Sequence, residues 1–277
     1  YGADSTTITF KTEDELTGFK SSLQYSLSAT SMVFSSFSRG YKAGGINQNP
    51  YLGTANRSYE PEFNLNYEAG YKSVTTAQQF QFTLFMMKRL NQQVQISSQQ
   101  EEGNPNSFYF YTANAATGQN NGAELEWSNW VNDNLQIGIQ GAYLNTHVDA
   151  YEFKTDSATT VTLGNREIAY APAYSAALNI SYLINSNIKA AMIVIAKDTY
   201  YFSDSHNQKS DAYQLLEAHI DYSRDNWGIS FWGKNILDTR YAVRGFYFGL
   251  EPPNYEDKLY VHWGDPAQYG VTLKYQF

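Results

Sequence analysis

Apolar and polar residues alternate along this chain with a period of two, in segment after segment. Leu23, Tyr25 and Leu27 form one apolar set, and Phe63, Leu65, Tyr67, Ala69 and Tyr71 a second. Phe80, Phe82, Leu84 and Met86 follow, then Leu135, Ile137, Ile139, Gly141 and Tyr143. Further sets are Tyr174, Ala176, Leu178, Ile180 and Tyr182; Leu216, Ala218, Ile220 and Tyr222; and Trp227, Ile229 and Phe231. Ser, Gln, Asn, Thr, Glu and Lys fill most positions between them. Successive side chains of a strand point to opposite faces, so each segment predicts a strand with one apolar and one polar face. Helical spacing fits none of them. The last set, Val271, Leu273, Tyr275 and Phe277, runs to the final residue, with Thr272, Lys274 and Gln276 between. An amphipathic closing strand with a terminal aromatic is expected of a transmembrane β-barrel, apolar side to lipid and polar side to a wet lumen. These four residues are read as a barrel-assembly signal.

The connections alternate in length. Short ones fall near Ala29 and at residues 73–77, 129–134, 184–187 and 223–226, rich in the Asn, Asp and Ser of tight turns. Long ones fall at residues 40–62, 92–107, 147–171, 201–211 and 237–268. Outer-membrane barrels have short periplasmic turns and long external loops, so the pattern predicts an all-β, antiparallel transmembrane barrel. With residues 1–10 counted as a strand, about twelve strands result, an even number with both chain ends periplasmic. A soluble sandwich would pack Val, Ile and Leu inward and keep its loops modest.

Composition sharpens this picture. Mean hydropathy is −0.50 and the longest apolar run is residues 190–196, too short for a spanning helix. Neither excludes a barrel, which needs apolar residues only at alternate positions. Aromatics make up 16% of the chain, with 24 Tyr, as suits girdles at the two lipid–water boundaries. A net charge of −8 disfavours nucleic acid as a partner. Zero cysteines removes disulfides and thiolate metal sites. Residues 1–10 lack the basic and apolar regions of an export signal, so one is expected to have been removed or to be missing.

Five motifs, in order along nearly the whole chain, resemble the C-terminal half of the barrel of TonB-dependent outer-membrane receptors. They are Phe37-Ser-Arg-Gly-Tyr-Lys-Ala-Gly-Gly-Ile-Asn47, Tyr59-Glu-Pro-Glu62 with Asn66-Tyr-Glu-Ala-Gly-Tyr-Lys72, Asn121-Gly-Ala-Glu-Leu-Glu126, Gly233-Lys-Asn-Ile-Leu-Asp-Thr-Arg-Tyr241, and Gly264-Asp-Pro-Ala-Gln-Tyr-Gly270. Ala267 departs from the family's habitual Arg after Pro. Gly40, Gly44 and Gly45 are expected to give positive φ where a strand leaves for a loop. Asn235 and Asp238 are expected to bond nearby backbone and end their strand.

The resemblance implies a barrel of about 22 strands, of which residues 1–277 supply the C-terminal part without the N-terminal plug domain. It implies as partners the plug and remaining strands, the TonB energy-transducing protein acting through the plug, the barrel-assembly machinery, outer-membrane lipid and lipopolysaccharide, and a small-molecule ligand. The implied location is the bacterial outer membrane. The implied function is uptake of a scarce nutrient, a ferric siderophore first, with sugar and cobalamin open. The alternative is a non-transporting structural subunit of a larger outer-membrane assembly.

Catalytic chemistry and cofactor fingerprints are absent from the sequence. His147, His206, His219 and His262 have no metal-ligand spacing. Ser203, Asp204 and His206 are neighbours in a loop, which is no triad without convergence in space. His219, between Ala218 and Ile220, is expected to point into the lumen. Loop aromatics and basic residues are the candidate ligand contacts: Arg39, Tyr41, Lys42, Tyr109, Tyr200, Tyr201, Arg244 and Trp263. Arg39 and Lys42 also suit lipopolysaccharide phosphate or a solvated rim.

Overall fold

The computed structural model describes residues 9–49, 52–99, 108–114, 117–154, 160–204, 206–248, 251–254, 256 and 258–277. In chain order the strands are β1 (Phe19–Ser26), β2 (Ser31–Lys42), β3 (Gly45–Ile46), β4 (Ser58–Tyr59), β5 (Glu62–Val74), β6 (Gln78–Leu90), β7 (Gln93–Gln99), β8 (Phe108–Asn114), β9 (Gly118–Trp130) and β10 (Leu135–Val148). There follow β11 (Tyr151–Lys154), β12 (Thr160–Leu163), β13 (Tyr174–Asn185), β14 (Ile188–Lys197), β15 (Tyr213–Arg224), β16 (Trp227–Lys234), β17 (Ala242–Phe248), β18 (Lys258–Trp263) and β19 (Gln268–Tyr275). Eleven of them form one antiparallel sheet in the order β1-β2-β5-β6-β9-β10-β13-β14-β15-β16-β19. This sheet is the wall. The rest pair as small hairpins, β3-β4, β7-β8, β11-β12 and β17-β18, all within long connections.

Cross-strand register tests the alternation directly, because directly opposed residues share a face. One row runs Tyr25, Val33, Tyr71, Phe82, Leu125, Gly141 and Ala176. Another links Leu178, Val194 and Leu216, and a third Ile220, Phe231 and Val271. Every apolar set of the sequence falls on this one outward face. The inner face carries Ser36, Asn66, Glu68, Gln81, Glu124, Glu126, Gln140, Asn179 and Asp221. His219 opposes Trp232 on that face, 3.4 Å from Asp221, as the alternation predicts.

Short turns are built by side-chain amides. Asn132 Oδ1 accepts from the backbone N–H of Asn134 and Leu135, both at 2.9 Å, and Asn185 Oδ1 does the same for Asn187 and Ile188. Asp225 has φ 51°, as a two-residue hairpin turn demands.

Two expectations change. Among the described residues the wall has eleven strands beside the expected count of about twelve: residues 9–18 precede β1 without strand structure, and residues 1–8 of the expected first strand lie outside the described residues. An odd count puts the start of β1 at the long-loop end, opposite the end of β19. Second, Gly164 is the one glycine with positive φ among the described residues, so Gly40, Gly44 and Gly45 do not supply that conformation, and a Cβ at Gly40 would meet open space. At Gly44 and Gly45 an added Cβ would lie 2.6 Å from the Tyr59 carbonyl oxygen and 2.4 Å from its hydroxyl. Close packing excludes a side chain there, not backbone conformation.

Motif glycines inside the wall have a related use. Phe34 opposes Gly70, Phe85 opposes Gly122 and Trp232 opposes Gly270, all on the inner face. Each ring lies where the glycine's Cβ would be, at 2.5, 2.5 and 2.2 Å. Each glycine thus leaves room on the inner face for a large ring from the neighbouring strand.

Candidate functional site

The long connections fold against one another into a cap at one end of the wall. Its first half has a hydrophobic core of Leu52, Val94, Ile96 and Tyr111, with Ala113 and Tyr151 packed against it. Each such aliphatic side chain contributes roughly 1.5–3 kcal/mol on leaving water. Amides fasten the pieces. Asn47 Nδ2 donates to the carbonyls of Asn56 at 2.9 Å and Thr112 at 2.8 Å, and its Oδ1 accepts from Thr112 N at 2.8 Å. Gln93 Nε2 donates to the carbonyls of Ala43 and Glu60 at 2.8 and 3.0 Å. Buried Glu62 joins cap to wall: one oxygen takes Arg89 at 2.6 Å, the other the N–H of Gln93 at 2.9 Å. Asn47 and Glu62 close their motifs, so these motif ends are structural anchors.

The second half is built from residues 164–173, residues 198–212 and the β17-β18 hairpin. Tyr200 and Phe202 are buried here. The Tyr200 hydroxyl lies 3.2 and 3.3 Å from the carbonyls of Ala242 and Val243, to which it donates, and burial raises its pKa. Tyr201 takes two cations: Arg166 is 4.1 Å and Lys209 4.0 Å from its ring centre. Arg166 also donates to Ser203 O at 2.7 Å, and Lys209 lies 3.6 Å from Glu167. A 250 Å³ cavity beside this cluster is lined by Tyr143, Thr146, Glu167, Asp198, Tyr201 and Lys209, among others. Further along, Arg240 stacks 4.0 Å over exposed Trp263. His206 packs edge-on to Tyr247 at 5.1 Å; burial, then the Arg166 charge, lower its pKa and keep it neutral near pH 7.

Tyr151 joins the halves. It packs on the first core, and its hydroxyl is pushed up to about 12 by burial and then by the charge of Asp204, against the opposing Arg166. Tyr170 holds φ 57°, a conformation that costs a bulky residue roughly 1–3 kcal/mol. Its N–H donates to Tyr201 O at 2.9 Å, which ties the strained residue to the stacked ring.

The predicted contact residues separate. Arg39 and Tyr41 fall on the outward face of β2, opposed to Leu65 and Phe63, while Lys42 opposes Glu62 on the inner face. Arg39 stacks 4.1 Å over Phe63 and donates to the Thr17 carbonyl. Tyr109 lies on β8 in the first half of the cap. Tyr200, Tyr201, Arg244 and Trp263 lie in the second, where the hairpin carrying Arg244 and Trp263 meets the Tyr200 hydroxyl through the Ala242 and Val243 carbonyls. Tyr200 is enclosed, and Arg244 sits 5.9 Å from the Phe246 ring. Sequence reading missed Arg166, Lys209 and Arg240, whose stacking partners are 35, 8 and 23 residues away. Of the barrel-assembly residues, Val271, Leu273 and Tyr275 oppose Phe231, Ile229 and Trp227 outward, and the Phe277 ring meets Tyr275 edge-on at 5.1 Å. Asn235 bonds nearby backbone as expected, its Nδ2 donating to Thr239 O and also to Asp265 O, whereas Asp238 reaches across to accept from the N–H of Ala267 at 2.9 Å, 29 residues on.

Comparison with known proteins agrees with this geometry. The family described as TonB dependent receptor-like, beta-barrel matches residues 2–236. The pesticin receptor of Yersinia pestis is 24% identical over 246 residues, covering 86% of this chain and 33% of its own length. The chain therefore spans about a third of the curated relatives it matches. Among solved structures, the ferric yersiniabactin uptake receptor of Yersinia pestis superposes with a TM-score of 0.74 at 18% identity, covering 93% of this chain and 37% of that one. The siderophore receptor PiuA of Acinetobacter baumannii gives 0.70 at 14% identity, covering 92% and 35%. At such identities these structures speak for the fold alone. Wall, register, cap and family match together place this chain among the TonB-dependent receptors, as part of their outer-membrane β-barrel domain.

Proposed function

We propose that the chain is the C-terminal part of an outer-membrane receptor and transporter barrel whose external cap captures a ferric siderophore. The observation that carries the reading is Tyr201 held between Arg166 and Lys209 on the cap. Ferric chelates of catecholate donors are anionic, because each catecholate brings two negative charges, and catecholate and phenolate donors present aromatic rings at the rim. A ring flanked by two cations offers positive charge beside an aromatic edge to such a ligand. Trp263 with Arg240 repeats the arrangement on the neighbouring hairpin. The relatives are receptors, one named for ferric yersiniabactin uptake, which supports the ligand class.

The remaining steps belong to the longer protein. A plug would fill the lumen and answer to the TonB protein, and the inner wall here offers it Glu68, Glu124 and Glu126. The first accepts from Ser36 and Asn66, at 3.3 and 2.7 Å, and the other two have no ion pair among the described residues. The outward closing strand would be read by the barrel-assembly machinery.

The test is quenching of tryptophan fluorescence in the full-length receptor by a panel of ferric catecholate, phenolate and hydroxamate chelates. Binding should weaken at least tenfold in Arg166→Gln with Lys209→Gln, while heat-modifiable migration stays normal. A folded receptor that binds no chelate in the panel would overturn the siderophore reading and leave the structural-subunit alternative.

A further inference from the structure

Of the four histidines, three stand beside a carboxylate or in the open. His147 lies 3.6 Å from Asp149, and His219 lies 3.4 Å from Asp221. His262 opposes Arg244 on the exposed face of the β17-β18 hairpin, where water screens the pair. His206 differs: it is half-buried inside the cap, with a cation for its charged neighbour.

Three contacts in a line fasten β17 to the connection at residues 198–212. At the first, the Tyr200 hydroxyl donates to the carbonyls of Ala242 and Val243. At the second, the buried Phe202 ring takes the room that an added Cβ at Gly245 would need, 2.6 Å away. The third contact, at Tyr247 toward the hairpin tip, is built around His206. Its ring meets Tyr247 edge-on, and its Nδ1 accepts from the N–H of Gln208 at 3.3 Å. Gln208 in turn donates from Nε2 to the Tyr247 hydroxyl at 3.0 Å, and its carbonyl accepts from the N–H of Phe202 at 3.0 Å.

This last contact needs a neutral imidazole. Nδ1 must be bare to accept from Gln208, which puts the ring proton on Nε2, enclosed near the Gly245 backbone without a fully formed hydrogen bond. A second proton lands on Nδ1 and sets two donors against each other. Its charge also faces the Arg166 guanidinium from the segment at residues 164–173. The other groups about this cluster are Tyr247 on β17, Tyr151 on β11, and Asp204 and Lys209 on the same connection as His206. Asp204 is the one carboxylate among these, and it already accepts from the N–H of Ala169 at 3.1 Å. Burial first and the Arg166 charge second hold the His206 pKa below the ordinary 6.5, against a smaller upward pull from the Gly245 backbone.

We propose that His206 is an acid-sensitive latch: neutral, it pins the tip of the β17-β18 hairpin to the connection at residues 198–212, and its protonation releases that tip. The proposal stands on the geometry of the cap and not on the siderophore reading. An imidazole set free with the tip regains its ordinary proton affinity, so the open form binds the proton more tightly than the closed one. The latch is therefore at full strength above about pH 6.5 and weakens as the pH falls below it. The contacts at Tyr200 and Phe202 hold the base of the hairpin throughout. What loosens is the aromatic tip with Phe246, Phe248 and Tyr260, so acid in the medium alters the outer surface that an incoming molecule meets.

The experiment is hydrogen exchange read by mass spectrometry on the full-length receptor in detergent, without ligand, at pH 7.5 and pH 5.0, with rates corrected for intrinsic exchange. In the parent, residues 246–248 and 258–260 should exchange at least about tenfold faster in acid, while residues 242–244 and 261–263 change less than about twofold. H206Q cannot take up the proton and should lose the response to pH, whether its tip is closed or already open. H262Q should keep the response in full. Normal heat-modifiable migration shows that each variant is folded. No acceleration in the parent, equal acceleration in H206Q, loss of the response in H262Q, or acceleration spread evenly through the hairpin would overturn the latch. Chelate binding plays no part in this measurement, so the two proposals fail independently.

Discussion

In the wall Leu23 is 74% exposed and Leu273 67%, whereas in the cap Leu52 is 4% and Ile96 2% exposed. The same residue type points out of one region and into the other. The reason is the solvent. The wall meets lipid, so its apolar face needs no protein partner, while closure of every inner backbone hydrogen bond is compulsory. The cap meets water and must gather a core of its own, at the entropic cost of ordering long connections. One chain thus answers two solvents with opposite placements, and the boundary runs through anchors such as Glu62 and Arg89.

The contrast breaks most sharply if charge is moved across the wall. Ile139→Arg on the outward face should cost roughly 2–4 kcal/mol if it lies near mid-bilayer, while Gln140→Arg on the inner face is tolerated. A folding titration into lipid vesicles reads both, and the reverse order would mean that the faces are exchanged. A comparable loss is expected in the cap from Ile96→Ala, about 2–5 kcal/mol by cavity formation. Its consequence should be local: faster proteolysis and amide exchange over residues 47–62 and 93–114, with wall strands and heat-modifiable migration unchanged. Global loss of the barrel would show that the cap is not a separate unit of stability.

Tyr151 gives a finer probe of the join. Its folded pKa is raised above 10 to about 12, so the folded state keeps a proton that the unfolded state releases earlier. Its contribution is therefore full below pH 10 and is lost as the pH climbs through about 12. Tyrosinate absorbance should show one late-titrating hydroxyl that Tyr151→Phe removes, and cap proteolysis should accelerate over the same interval in the parent protein only.

Much of the wall was legible because strand alternation is local. Leu135, Ile137 and Ile139 declare their face without reference to any partner, and rows of such residues exclude any one-residue slip of register, which would turn the apolar set inward. The turns at Asn132, Asn185 and Asp225 were legible for the same reason, since an Asx bond spans two or three residues. The hairpins inside the long connections were not. β7 read as part of the 92–107 connection because its apolar residues, Val94 and Ile96, meet Tyr111 from β8 and Leu52 from a separate connection.

The alternation of side chains by itself determined which face of this protein meets lipid and which meets the lumen, and the five motifs determined its family. Tertiary structure alone decided what the motifs do: Asn47 and Glu62 fasten the cap, and Gly70 and Gly122 seat rings from the next strand. It alone placed Arg166 and Lys209 on Tyr201, and His206 against Tyr247. Periodicity constrains a residue's direction, but the partner it meets depends on which distant strand or loop closes beside it, and that is set by the sheet order.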